Sequence, residues 1–138
     1  MLTPVFEYEL IVLEHHLDTF GHMNNAVYLE IYEEARWDLI TKNGYGLKDI
    51  MAKKIGPVIL EVNVKFRKEL KLREKIKILT VCTEYKNKIG ILEQKILNQK
   101  GEVASTATFT IALFDLVYRK IIDPTPEWKK AMGITVSL

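Results

Sequence analysis

The chain has 138 residues, with 20 Lys and Arg against 18 Asp and Glu, for a formal net charge of +2. That length suffices for one buried core, read as one domain over residues 1–138. So small a charge excess argues against a nucleic-acid partner. The single cysteine, Cys82, excludes an internal disulfide and a zinc site built from several thiolates.

Residues 5–14 alternate, with Phe6, Tyr8, Leu10 and Val12 on one side, and read as a strand. From Asn25 to about Thr41 the period changes: Val27, Ile31, Ala35 and Leu39 form one apolar stripe with Tyr28 and Tyr32 beside it, predicting a long helix. Trp37 and Ile40 lie off the stripe, so the helix is expected to be wrapped on more than one side. Asn43-Gly44 supplies its stop. Four strands follow, one around Leu60–Phe66 and others at 75–86, 89–98 and 102–115, joined by hairpin turns at Lys86-Asn87-Lys88 and Asn98-Gln99-Lys100-Gly101. On the last strand Ala104, Thr106, Thr108, Thr110 and Ala112 fall in step, leaving room for a close neighbour, the helix or another subunit. Residues 123–130 read as a turn and a short helix with Pro126 in its first turn. One helix over one antiparallel sheet is an α+β layer, and its free edges favour pairing into dimers.

Chemistry concentrates in residues 15–28. All three histidines lie between positions 15 and 22, with Asp18 among them. These are permissible metal-ligand types, but their spacing matches no zinc motif, and no metal is expected. Acyl transfer without a metal fits the pattern better. The unpaired N–H groups at a helix start form an oxyanion site, here at or just after Asn25, while Asn24 or Asn25 caps the helix. Gly21 lets the loop take a positive φ and a ligand approach the backbone. Asp18 then serves as nucleophile or as general base on water, and His22 orients the carbonyl, polarises it or moves a proton. The plain alternative is that Asp18 and His22 only bond to their own loop.

The run Asp18-x-x-Gly21-His22-x-Asn24-Asn25-x-x-Tyr28, followed by Glu33-x-Ala35-Arg36, resembles the 4-hydroxybenzoyl-CoA thioesterase-like hotdog proteins. Its His-x-Asn-Asn portion is most similar to their acyl-CoA and acyl-ACP thioesterase branches. The resemblance implies a long helix wrapped by a curved antiparallel sheet, homodimers or homotetramers, and active sites at subunit interfaces. It places the catalytic carboxylate on Asp18, the loop histidine on His22 and the backbone donor on Asn25. Many relatives carry a Pro-containing turn where this chain has Phe66-Arg67-Lys68-Glu69-Leu70-Lys71.

Glu33 is explained by pairing with Arg36 on the helix surface. Within the basic stretch 65–77, Arg67 and Lys68 together suit coenzyme A phosphates or an acidic carrier protein, while single lysines there guard a strand edge. Tyr28 is a core aromatic that also lines the acyl channel, and Cys82 reads as a small core residue. The absence of Gly-x-Ser-x-Gly argues against a serine-hydrolase elbow. The expected activity is hydrolysis of an acyl-CoA or acyl-ACP thioester, the carrier being part of the substrate and no further cofactor being needed. A non-catalytic acyl-CoA sensor and an enoyl-thioester hydratase are the alternatives. Residues 1–7 lack the basic start of a signal peptide, and no apolar run nears the ~20 residues that span a bilayer, so a cytoplasmic protein is expected.

Overall fold

A computed structural model describes residues 4–134, so the first three residues of the stretch read as unlike a signal peptide lie outside the described residues. The elements in chain order are β1 (Phe6–Ile11), a 3-10 turn (Glu14–His16), α1 (Asn25–Lys42), α2 (Leu47–Lys53), β2 (Ile55–Phe66), β3 (Lys75–Lys86), β4 (Ile89–Leu97), β5 (Val103–Asp115), β6 (Lys120–Ile122) and α3 (Pro126–Ala131). The sheet has six strands with the order β1-β3-β4-β5-β2, and β6 pairs with the end of β5. Every pairing is antiparallel. Among the described residues, no helix is long and apolar enough to cross a membrane.

The long helix forms where its periodicity places it. Val27, Ile31, Ala35 and Leu39 are buried with Tyr28 and Tyr32. Each fully buried large apolar side chain contributes roughly 1.5–3 kcal/mol relative to exposure. The stripe meets the inner sheet face through Ser105, Ala107, Phe109 and Ile111 of β5 and Leu92, Gln94 and Ile96 of β4. Tyr32 packs edge-on to Phe109, ring centroids 5.9 Å apart, and its hydroxyl donates to Ser105 Oγ at 2.7 Å. Gln94 Nε2 donates to the Tyr32 carbonyl and to Thr80 Oγ1, at 3.1 and 2.9 Å. These bonds satisfy polar groups that would be costly to bury unpaired. Ile40 is buried, whereas Trp37 stays partly open to solvent.

Several expectations need correction. The helix packs against the Ser105–Phe109 side of β5, so Thr106, Thr108 and Thr110 point to the opposite face of the sheet and accommodate no helix there. Arg36 makes no ion pair with Glu33 among the described residues. It turns inward, donating to Gln94 Oε1 at 2.9 Å with its guanidinium 4.1 Å from the Phe109 ring centre, and burial pushes its pKa down to about 10. The first strand ends at Ile11 and turns into Glu14–His16, although Val12 is fully buried and still pairs with the backbone of Arg73 and Glu74. β2 starts at Ile55, earlier than the alternation suggests, and carries Pro57, which an edge strand tolerates. Helix α2 and strand β6 have no counterpart in the sequence reading.

Turn chemistry holds as read. Asn43 caps the end of α1 and Gly44 follows at φ +86°. Asn87 takes a left-handed φ of +55° in the β3–β4 turn. Thr125 Oγ1 accepts the Trp128 N–H, with Pro126 at the first helical position of α3. Trp128 is buried to 1% exposure, and its indole N–H donates to Tyr85 Oη at 3.1 Å. Cys82 is 2% exposed, and burial pushes its thiol pKa up to about 11, as befits a core residue.

Candidate active site

The loop before α1 is a compact turn tied to the rest of the fold at both sides. Leu17 and Met23 form an isolated antiparallel bridge, as do His22 and Lys71. The Asp18 N–H donates to the His22 carbonyl at 2.8 Å, and the Met23 N–H to the Leu70 carbonyl at 2.9 Å. The turn between β2 and β3 therefore holds the loop against the sheet. Gly21 sits at the tip with φ +81°, and a Cβ there would meet nothing within 4 Å, so the left-handed backbone, not close packing, asks for glycine.

Asp18 divides its carboxylate between two tasks. Oδ1 accepts the N–H of Phe20 at 2.8 Å and of His22 at 3.2 Å. Oδ2 accepts no hydrogen bond among the described residues. The local-bonding role read as the plain alternative is thus present, and it leaves one oxygen for chemistry. Asn24, not Asn25, is the cap: its Oδ1 accepts the Ala26 N–H at 2.9 Å, and its own N–H donates to the His16 carbonyl at 2.9 Å. Asn25 is the first residue of α1, and its N–H donates to no backbone acceptor among the described residues. Replacing Asn24 by Ala is expected to cost about 1 kcal/mol, the usual value of such a cap, read as a lowered urea midpoint.

Asp18, His22, Asn24, Asn25, Tyr28, Arg67 and Lys68 line one open cavity of about 710 Å³, together with Phe20, Met23, Phe66 and Glu69. Of the residues read from sequence as catalytic or substrate-binding, only Gly21 is missing from its wall. Tyr28 lies edge-on to Phe66 at 5.0 Å, and its hydroxyl points to the Lys68 carbonyl at 3.5 Å. Burial, with smaller contributions from Glu69, Glu74 and Asp18, raises the Tyr28 pKa, so the phenol stays neutral. Lys68 is engaged with Glu102, whereas Arg67 meets no carboxylate among the described residues.

Sequence reasoning missed Glu69. Its Oε2 lies 3.1 Å from His22 Nε2 across the cavity wall. No local periodicity carries that contact, because the loop and the β2–β3 turn meet only in the folded chain. His15, His16, Asp18 and His22 do not gather as one ligand set, and no cluster of three His, Cys, Asp or Glu suited to a metal occurs among the described residues. His16 instead accepts the Leu13 N–H through Nδ1, and burial, with the neighbouring His15, lowers its pKa.

A six-stranded curved antiparallel sheet around one long helix is the hotdog fold. A structure of SAV2348 from Staphylococcus aureus in complex with CoA shares it, with a TM-score of 0.87 at 18% identity over 100% of this chain and 91% of that one. The crystal structure of YbaW, a probable thioesterase from Escherichia coli, gives a TM-score of 0.81 at 30% identity, covering 92% of this chain and 98% of that one. In sequence, the long-chain acyl-CoA thioesterase FadM of Escherichia coli strain K12 is 34% identical over 115 residues, 83% of this chain and 86% of the relative. The profile of the thioesterase-like superfamily matches residues 12–132. The chain belongs to that superfamily, and by class it is a thioester hydrolase.

Proposed function

We propose that the protein hydrolyses long-chain acyl thioesters of coenzyme A, releasing the free acid and the thiol. One juxtaposition carries this reading: the unengaged Oδ2 of Asp18 and the unpaired Asn25 N–H border the same cavity. The Asn25 N–H holds the carbonyl oxygen as negative charge develops on it. Asp18 attacks the carbonyl carbon, giving a mixed anhydride that water then opens, or takes the proton of an attacking water. Both routes end in the same products. The local bonds to Oδ1 hold the carboxylate still, which preserves the geometry either route requires.

The acyl chain runs along the interface between α1 and β2. Phe66 and Tyr28 border the catalytic cavity, and Val62 and Leu29 beyond them are exposed apolar side chains. Further on, a pocket of about 150 Å³ is walled by Trp37, Ile40, Pro57, Ile59, Trp128 and Met132. From Asn25 to Trp37 the helix advances about 18 Å at its 1.5 Å rise per residue. A chain extended at about 3.6 Å per three bonds needs roughly 15 bonds to cover that distance. The name of the FadM relative, a long-chain acyl-CoA thioesterase, agrees with this length. In the same reading the protein is cytoplasmic, and two copies pair through β2, an edge strand that exposes Leu60 and Val62.

The test is a thiol-release assay over acyl-CoAs of increasing chain length, with an acyl-ACP arm and the Asp18→Asn variant as control. Release that rises toward long-chain acyl-CoA and vanishes in the control supports the proposal. Binding without release would mark a sensor and overturn it. Arg67→Ala is expected to raise KM for acyl-CoA about fivefold with kcat unchanged, and less so at high salt, as for a solvent-exposed phosphate contact. Lys68→Ala has a smaller effect, since Glu102 already engages that ammonium.

A further inference from the structure

We propose that Glu69 is a positioning residue for the hydrolytic step, acting through His22. The inference rests on the function proposed above and adds a residue to it. Glu69 belongs to the β2–β3 turn, the segment whose sequence departs from the Pro-containing form of many relatives. Its Oε2 lies 3.1 Å from His22 Nε2, and both side chains line the same cavity as Asp18 and Asn25. The Glu69 side chain is 65% exposed and that of His22 32%, and an ion pair so open to water adds little to stability. Its effect falls on the imidazole instead.

The main chain of His22 is already fixed. Its N–H donates to Asp18 Oδ1, its carbonyl accepts the Asp18 N–H, and it bridges to Lys71. Only the ring remains to be oriented, and Glu69 does this. A proton held on Nε2 by the carboxylate selects the tautomer in which Nδ1 carries the lone pair. Nδ1 has no partner among the described residues. Where Asp18 takes the proton of the attacking water, Nδ1 receives that proton from Asp18 once the water oxygen has bonded to the carbonyl carbon. When the carbon–sulfur bond breaks, its electron pair goes to sulfur, and the imidazolium returns the proton to that thiolate. Thioester and water become acid and thiol, and His22 ends neutral. Should water attack the Asp18 anhydride instead, the same proton passes from water through Nδ1 to the thiolate already released.

The other charged or titratable groups that line the same cavity are Asp18 on the His22 loop, Tyr28 from α1, and Arg67 and Lys68 from the segment after β2, while Lys71 is bridged to His22 through the main chain. All of them remain when Glu69 is replaced, so a changed kcat reports on Glu69 itself. The experiment compares Glu69→Ala and Glu69→Asp in the parent and in the His22→Asn background. The kcat and KM for palmitoyl-CoA are measured, and the tautomer of His22 is read by nitrogen NMR. Glu69→Ala is expected to lower kcat about tenfold with KM unchanged. Glu69→Asp recovers part of the loss. In the His22→Asn background Glu69→Ala has no further effect, because the two act as one unit. The NMR signal shows the proton on Nε2 in the parent and a mixture of the Nε2–H and Nδ1–H neutral tautomers in Glu69→Ala.

Unchanged kcat in Glu69→Ala, or an equal extra loss in the His22→Asn background, would overturn the proposal while Asp18→Asn still upholds the hydrolase reading. If the parent hydrolyses no thioester, that reading fails on its own. The tautomer measurement then still decides whether Glu69 orients His22.

Discussion

Asp18→Asn is expected to slow thioester hydrolysis about a thousandfold, within the range that a positioned acid–base or nucleophilic group supplies. The variant separates the two tasks of this side chain. An Asn keeps an Oδ1 that accepts the Phe20 and His22 N–H groups, so the loop retains its shape. It replaces Oδ2 with an amide nitrogen, which neither attacks a carbonyl nor accepts a proton from water. Circular dichroism and the unfolding midpoint should therefore match the parent while kcat collapses. Asp18→Ala removes both tasks, and the difference between the two variants measures what the loop bonds contribute. Full activity in Asp18→Asn would exclude the proposed chemistry. A single turnover in heavy-oxygen water resolves the route: label appears in the Asp18 carboxylate only if the anhydride forms.

Removal of one backbone hydrogen is expected to have the second largest effect. Asn25→Pro deletes the N–H assigned to the oxyanion and should lower kcat by a factor of 100 to 1,000, about 2.7–4 kcal/mol of transition-state stabilisation. Proline at this place is unusually well tolerated for three reasons. Asn25 is the first residue of α1, where proline is favoured and no intrahelical bond is lost. Its N–H donates to no backbone acceptor among the described residues. The preceding Asn24 already has φ −62° and ψ 140°, the extended conformation that a following proline requires. Stability should thus change little, and KM should move less than kcat. An Asn25→Ala variant, which keeps the N–H, is the matched control and should stay active. Parent-like kcat in Asn25→Pro would place the oxyanion elsewhere.

The parts of this protein that sequence makes legible are those governed by short-range period and turn chemistry. The stripe from Val27 to Leu39 is buried because its spacing permits one continuous contact with the sheet, and β3, β4 and β5 follow their alternation to within a residue or two. Helix α2 escaped because it buries only Ile50 and leaves Leu47 and Met51 exposed, so it has no stripe to read. Strand β6 is three residues long, too short to show a period. The start of β2 was masked by Gly56-Pro57, which reads as a turn in isolation but sits on a sheet edge. In the site, one motif carries Asp18, His22, Asn24, Asn25 and Tyr28, so their proximity follows from the chain itself. Glu69 and the inward turn of Arg36 depend on what lies across the fold. Spacing alone made Glu33 the natural partner of Arg36, yet the guanidinium is better satisfied by Gln94 and the Phe109 face.

The bonds made by Gln94 have a bearing on catalysis despite their distance from the thioester. One wall of the proposed reaction chamber is the beginning of α1, and the other is the turn that ends β2, so the proposed chemistry needs the two to keep a fixed offset. Gln94 fastens the middle of α1 to the strands through the Tyr32 carbonyl, Thr80 and Arg36 at once. A helix pinned halfway along its length cannot slide along its axis without breaking several buried polar links together. The offset of these two walls is thereby held from the interior of the protein, by residues that do not line the cavity.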